Sequence, residues 1–141
     1  MAAGVRMFLE GIGERFEGDD LDATPDRVAR AWVDDLVSGY AEPPAGTVTW
    51  TEAPAGSGLV VVRDIAFASV CVHHLLPFAG WAHVAYLPAR RLAGLSKLGR
   101  VVDVLSRRLQ MQERLTAQIV AAVQDALEPR GVHDLDTQVD R

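Results

Sequence analysis

The stretch from Ser96 to Leu127 reads SKLGRVVDVLSRRLQMQERLTAQIVAAVQDAL, and its periodicity decides the architecture. Leu98, Val101, Leu105 and Leu109 recur at helical spacing on one stripe; Leu115, Ile119, Val123 and Leu127 form a second. The step from Leu109 to Leu115 is six residues, which turns the second stripe about 120° out of phase with the first. One straight helix cannot bury both stripes against the same surface. The pattern therefore predicts two helices with a break near Gln110–Gln112, the second ended by Pro129 and Gly131.

Upstream the period changes from helical to alternating. Gly80 to Leu87 sets Ala82, Val84 and Tyr86 on one side and Trp81, His83 and Ala85 on the other, and Pro88 closes the strand. Thr47–Glu52, Leu59–Val62 and Ile65–Val70 are further strand candidates. The first 46 residues read instead as a helical arm, with Val5, Phe8, Leu9, Ile12 and Phe16 on one helix face. Thr24-Pro25-Asp26-Arg27 reads as a second helix start with Thr24 as cap, and Val28, Trp32 and Leu36 line its face up to a stop at Gly39. The expected division is an arm over 1–46 and an α+β domain over 47–141, with a polar, strand-poor tail from His133.

Composition excludes several classes. A chain of 141 residues with 49% hydrophobic residues has the size and apolar content of one folded domain and is not disordered. No run approaches the eighteen apolar residues of a membrane span, and Met1 to Glu10 lacks a secretory pattern. With Cys71 as its one cysteine the chain has no internal disulfide, so the cytoplasm is the expected compartment. A net charge of −5 argues against nucleic acid as a partner. The charge is uneven: Arg90, Arg91, Lys97, Arg100, Arg107 and Arg108 face only Asp103 between 90 and 108, either a localised anion site or a solvated basic face.

Three short segments carry chemistry. Cys71-Val72-His73-His74 lies between two strands, and Cys-x-x-His spacing lets Cys71 and His74 reach one Zn²⁺ while His73 stays available for proton transfer. Taken alone, such a cysteine is more often a small buried hydrophobe. Gly94-Leu95-Ser96-Lys97-Leu98-Gly99-Arg100 is a loop-to-helix junction with Ser96 as the expected cap and Lys97 and Arg100 beside free amides. Gln112-Glu113 falls at the helix break, where a carboxylate can accept both N–H donors of a guanine edge or simply favour the helix dipole.

These segments combine with Thr24-Pro25-Asp26-Arg27-Val28-Ala29, Ser38-Gly39-Tyr40, Val62-Arg63-Asp64-Ile65, Val84-Ala85-Tyr86-Leu87-Pro88 and Gln110-Met111-Gln112-Glu113-Arg114-Leu115-Thr116. In that order the chain resembles the GTP cyclohydrolase I family from about Val5 to Val132. The resemblance implies a tunnelling fold, an antiparallel sheet with two packed helices behind a helical arm, assembled as a homodecamer with sites between subunits. It implies hydrolytic opening of the guanine imidazole ring of GTP to 7,8-dihydroneopterin triphosphate and formate, on the route to tetrahydrofolate. Cys71 and His74 would hold zinc and His73 would move protons. Gln112 and Glu113 would hold the guanine, Ser96 the ribose, and Lys97, Arg100 and Arg27 the triphosphate.

Two features depart from that pattern. Val72 stands where the family has glutamate, and after Gly131-Val132 the sequence runs His133-Asp134-Leu135-Asp136-Thr137-Gln138-Val139-Asp140-Arg141 with no His-x-Cys pair to supply a third zinc ligand. The expectation is a sheet without its last two strands, hence with an uncovered edge. A non-catalytic relative that binds purine or serves as an assembly subunit is the alternative, and another tunnelling-fold pterin or deazapurine enzyme a weaker one.

Overall fold

In the computed structural model, which describes residues 1–16, 19–133 and 137–139, the N-terminal helices are shorter than their periodicity predicts. Helix α1 spans Ala2–Gly11 and does not run on to Phe16. Gly11 and Gly13 favour termination there, with Gly13 at φ +95°, and the Arg6 guanidinium lies 4.0 Å from the Phe16 ring centre. After the single turn α2 (Asp19–Asp22), α3 spans Thr24–Ala31 with Ala23, not Thr24, at its cap and Pro25 in the first turn. Trp32–Leu36 then widens into one π-helical turn, which rotates Leu36 off the predicted stripe and leaves it exposed. Contacts divide the chain into two units, Met1–Ser38 and Gly39–Arg141.

The second unit holds the sheet. Strand β1 (Trp50–Glu52) pairs antiparallel with β4 (Arg91–Ala93), while β2 (Val60–Cys71) and β3 (Pro77–Leu87) form a long antiparallel pair. The β2–β3 register shifts between Val62 and Ile65, where Asp64 takes φ +59° and its amide donates to His83 Nδ1 at 3.0 Å. Helix α4 (Leu95–Ser106) and helix α5 (Gln112–Leu127) are joined through β5 (Leu109–Gln110), which pairs in parallel with the end of β2. The break is thus real but longer than predicted, and Leu109 belongs to a strand rather than to the first helical stripe.

The tail, expected to be strand-poor, instead supplies β6 (Gly131–His133) and β7 (Thr137–Val139), both antiparallel to β3. Strand β3 is thus paired over Gly80–Ala82 and Ala85–Leu87, and the edge of the sheet passes to these two short strands. Backbone amides and carbonyls satisfy a sheet edge whatever polar side chains accompany them, so composition misleads at this point.

Helices α4 and α5 cover one face of the sheet. Ala82, Val84 and Tyr86 from β3 are buried against Leu98, Val101 and Leu105 of α4 and Leu115, Ile119, Val123 and Leu127 of α5. Each large apolar side chain so buried contributes about 1.5–3 kcal/mol. The buried Tyr86 hydroxyl accepts the Ala93 amide at 2.9 Å, which fastens β4 to the core. Among the described residues no helix is long and apolar enough to cross a membrane.

Gly39 does not act as a helix stop. Its amide donates to Arg107 O at 2.9 Å, and a Cβ there would overlap the Val104 carbonyl oxygen and lie 2.7 Å from Arg107 O. Gly39→Ala is expected to lower stability by about 1–3 kcal/mol through overpacking, read as a lowered midpoint in thermal unfolding.

Candidate functional site

Cys71 ends β2, and the chain turns at once. Leu75 N donates to Cys71 O at 2.9 Å and Cys71 N to Leu76 O at 2.8 Å, closing a turn in which Leu75 takes φ +56°. A left-handed conformation is costly for leucine, so the flanking strands hold this loop against local preference. Cys71 Sγ and His74 Nδ1 lie 3.6 Å apart. The thiol is held below its ordinary range, chiefly by the hydrogen bond from the His74 ring and then by the His73 and His74 backbone amides, with desolvation opposing.

That separation suits a metal. Bonds of about 2.3 Å to sulfur and 2.0–2.1 Å to nitrogen on a tetrahedral ion put neighbouring ligands about 3.6 Å apart. Zinc needs at least three protein donors at a catalytic site, and among the described residues no three His, Cys, Asp or Glu side chains converge. The donor pair fits, and the set is one ligand short. His73 is exposed, its ring centre 6.3 Å from that of His74 and turned by 73°, so it stands beside the pair and not in it.

The parallel bridge brings a second motif to this loop. Cys71 is paired with Gln110, and Val72 N donates to Gln110 O at 2.9 Å. Two residues later α5 begins with Gln112 and Glu113, both exposed in its first turn. Two residues of chain span at most about 7 Å, so α5 starts close to the Cys–His turn. Gln110 itself is a buried hub that motif reading passed over. Its Nε2 donates to Leu105 O and Gln118 Oε1, each at 2.8 Å, and its Oε1 accepts Arg114 Nε at 3.0 Å. Arg114 also donates to Leu109 O. The available signal was polar residues at 110, 114 and 118, four apart beside an apolar stripe.

The remaining candidates lie elsewhere. Gly94, not Ser96, caps α4, and Ser96 is an exposed second residue of the helix. Ten residues of helix, about 15 Å, separate Ser96 from Ser106, the end of α4 nearer the Cys71 loop. At that end Ser69 Oγ donates to Arg108 O at 3.1 Å. Lys97 lies toward the far end and Arg100 at mid-helix, about 14 and 9 Å from Ser106. Arg100 Nη2 donates to both Glu42 carboxylate oxygens at 2.9 Å and Nη1 lies 3.7 Å from Asp103. Arg27 is exposed on α3 in the other unit.

The cationic block is not one surface. Arg91 bonds Ala126 O and Glu128 and lies over Trp50, Arg107 pairs with Asp103, and Arg108 bonds the carbonyls of Gly39 and Glu42.

The family model described as GTP cyclohydrolase I matches residues 1–135. The chain belongs to the GTP cyclohydrolase I family. It is 49% identical over 128 residues to GTP cyclohydrolase 1 of Deinococcus radiodurans, covering 90% of this chain and 59% of that protein. It is 45% identical over 133 residues to GTP cyclohydrolase 1 of Streptococcus agalactiae, covering 94% and 71%. For GTP cyclohydrolase 1 of Chlorobium phaeovibrioides the figures are 49% over 135 residues, 94% and 59%. The chain thus spans about three-fifths of the length of two of these relatives.

The Cys71 environment gives a pH-dependent expectation. In chelator-treated protein, alkylation of Cys71 by iodoacetamide should rise through a midpoint below that of an ordinary thiol. Because His74 is the largest cause, His74→Ala should move the midpoint up in a stopped-time alkylation series; an unmoved midpoint would disprove the assigned cause.

Proposed function

We propose that the chain carries the site of a zinc-dependent GTP cyclohydrolase I, which hydrolyses the guanine imidazole ring of GTP to give 7,8-dihydroneopterin triphosphate and formate. The observation that carries this reading is the pairing of Cys71 with Gln110, which sets a thiol–imidazole pair beside Gln112 and Glu113. In the same reading the second unit is a tunnelling-fold domain behind a helical arm, and the protein works in the cytoplasm as a homo-oligomer, a decamer by family resemblance.

Cys71 and His74 would hold the zinc ion, with a third donor required from outside the described residues. The chemistry such an ion supplies is acidification of water to a pKa of about 7. The Glu113 carboxylate accepts the two N–H groups of the guanine edge, a charge-assisted pair that no other purine edge of reversed polarity satisfies. Gln112 adds an amide contact, and together they orient C8 toward the Cys–His turn. His73, exposed and outside the donor pair, takes and returns protons through its two ring nitrogens as the C8–N9 bond breaks, formate leaves and the ribose rearranges.

Ser96 would meet the ribose, with Lys97, Arg100 and Arg27 on the triphosphate. Arg100 would exchange Glu42 and Asp103 for phosphate, an exchange between exposed partners that costs little. Since Ser96, Lys97 and Arg100 lie about 15, 14 and 9 Å along α4 from its Cys71 end and Arg27 lies on α3, a second copy supplying them is the economical arrangement, which supports the oligomeric reading. The incomplete donor set and Val72 favour one other reading, a non-catalytic relative that still binds purine.

Glu113→Gln is expected to raise the Kd for GTP about 10- to 150-fold in calorimetry, the loss of a charged hydrogen bond. His73→Ala should lower formate release about 10²- to 10⁴-fold with GTP affinity nearly unchanged. GTP binding without formate release, in protein holding little zinc, identifies the non-catalytic reading. Absence of GTP binding overturns both.

A further inference from the structure

Gln110 joins the two halves of the proposed site, and nothing in the chemistry assigned above uses its side chain. That side chain is 1% exposed and completely hydrogen-bonded, both amide hydrogens to Leu105 O and Gln118 Oε1 and its oxygen to Arg114 Nε. Its backbone oxygen holds Val72 N, inside the Cys71–His74 turn. One residue therefore touches the end of α4, the first two turns of α5 and the donor loop. Arg114 directly follows Glu113, and Gln118 lies one turn further on the same face. Binding both fixes the rotation of α5 about its axis, and hence the direction in which Gln112 and Glu113 leave the helix.

We propose that Gln110 is a positioning residue that couples guanine recognition at Gln112–Glu113 to the Cys71–His74 turn. This rests on the reading of the site as a GTP site. A buried polar hub of this kind is costly unless every group is paired, and here every group is paired to an element that carries part of the site. An apolar residue of equal size would pack the same space but leave the α5 face free to rotate against the donor loop. The amide is thus explained by orientation, which apolar packing does not supply.

The test reads the coupling and not the stability. In chelator-treated full chain, GTP binding is measured by calorimetry and Cys71 accessibility by the rate of iodoacetamide alkylation, with and without saturating GTP. GTP is expected to slow alkylation about tenfold in the unaltered protein, within the usual range of coupling between sites. In Gln110→Met the slowing should fall below about twofold while GTP still binds. Gln110→Met also removes the bond that Gln110 Oε1 accepts from Arg114 Nε. Arg114→Leu removes the same bond from the other side and should reproduce the Gln110→Met result, which covers a Gln110→Met protein that does not fold. Leu127→Ala, matched for loss of thermal stability, should leave the slowing intact.

Full slowing in Gln110→Met or in Arg114→Leu overturns the proposal, as does equal loss in Leu127→Ala. Failure of the unaltered protein to bind GTP overturns the GTP reading itself, a distinct result. GTP binding without any slowing in the unaltered protein overturns the coupling alone.

Discussion

A parallel contact two residues long, Val70–Cys71 against Leu109–Gln110, is the constraint on which the site depends. The long antiparallel pair β2–β3 and the two helices would form a core without it. What the contact adds is adjacency between parts of the chain 39 residues apart, Cys71 and Gln110. It also explains why α4 ends at Ser106: the helix must give way to five non-helical residues so that the backbone can turn and lie along β2 before α5 starts. Ser69 Oγ on Arg108 O and Arg108 on the carbonyls of Gly39 and Glu42 hold this crossing in place from both sides.

Gln110 is the buried residue of this crossing, and the polar groups around it have to be satisfied within the protein. Leu105 O, at the end of a helix, has lost its intrahelical partner and receives Gln110 Nε2 instead; Leu109 O receives Arg114. Among the described residues no buried side-chain nitrogen or oxygen lacks a partner. The connection is thereby tied by side-chain hydrogen bonds to the end of α4 and the start of α5.

Much of this was legible in the residues. Alternation from Ala82 to Tyr86 and the phase break between Leu109 and Leu115 foretold the strand, the two helices and most of the core. Cys-x-x-His spacing foretold the convergence of Cys71 and His74, because a tight turn leaves few other outcomes. The caps were misread: Thr24 and Ser96 have the right chemistry, but Ala23 and Gly94 take the positions, since backbone geometry at a helix start is settled by the preceding chain. The grouping of Arg90 to Arg108 read as either an anion site or a solvated basic face, yet helix and strand geometry distributes those side chains in several directions, most of them onto carbonyls and carboxylates. The tail strands were hidden because backbone pairing leaves little mark in a polar sequence.

The bulge at Asp64 reaches further than its own neighbourhood. Before it, even-numbered residues of β2, Val60 and Val62, turn toward the core; after it, odd-numbered Ile65, Phe67 and Ser69 do. One surplus residue has inverted the parity of the strand, and Cys71 inherits the inverted count. The side of the sheet from which sulfur is presented is thus settled seven positions upstream, by a kink whose amide rests on the His83 ring. The pair Asp64–His83 thus works as a counting device: it keeps the odometer of β2 one notch ahead of β3 along the rest of the strand.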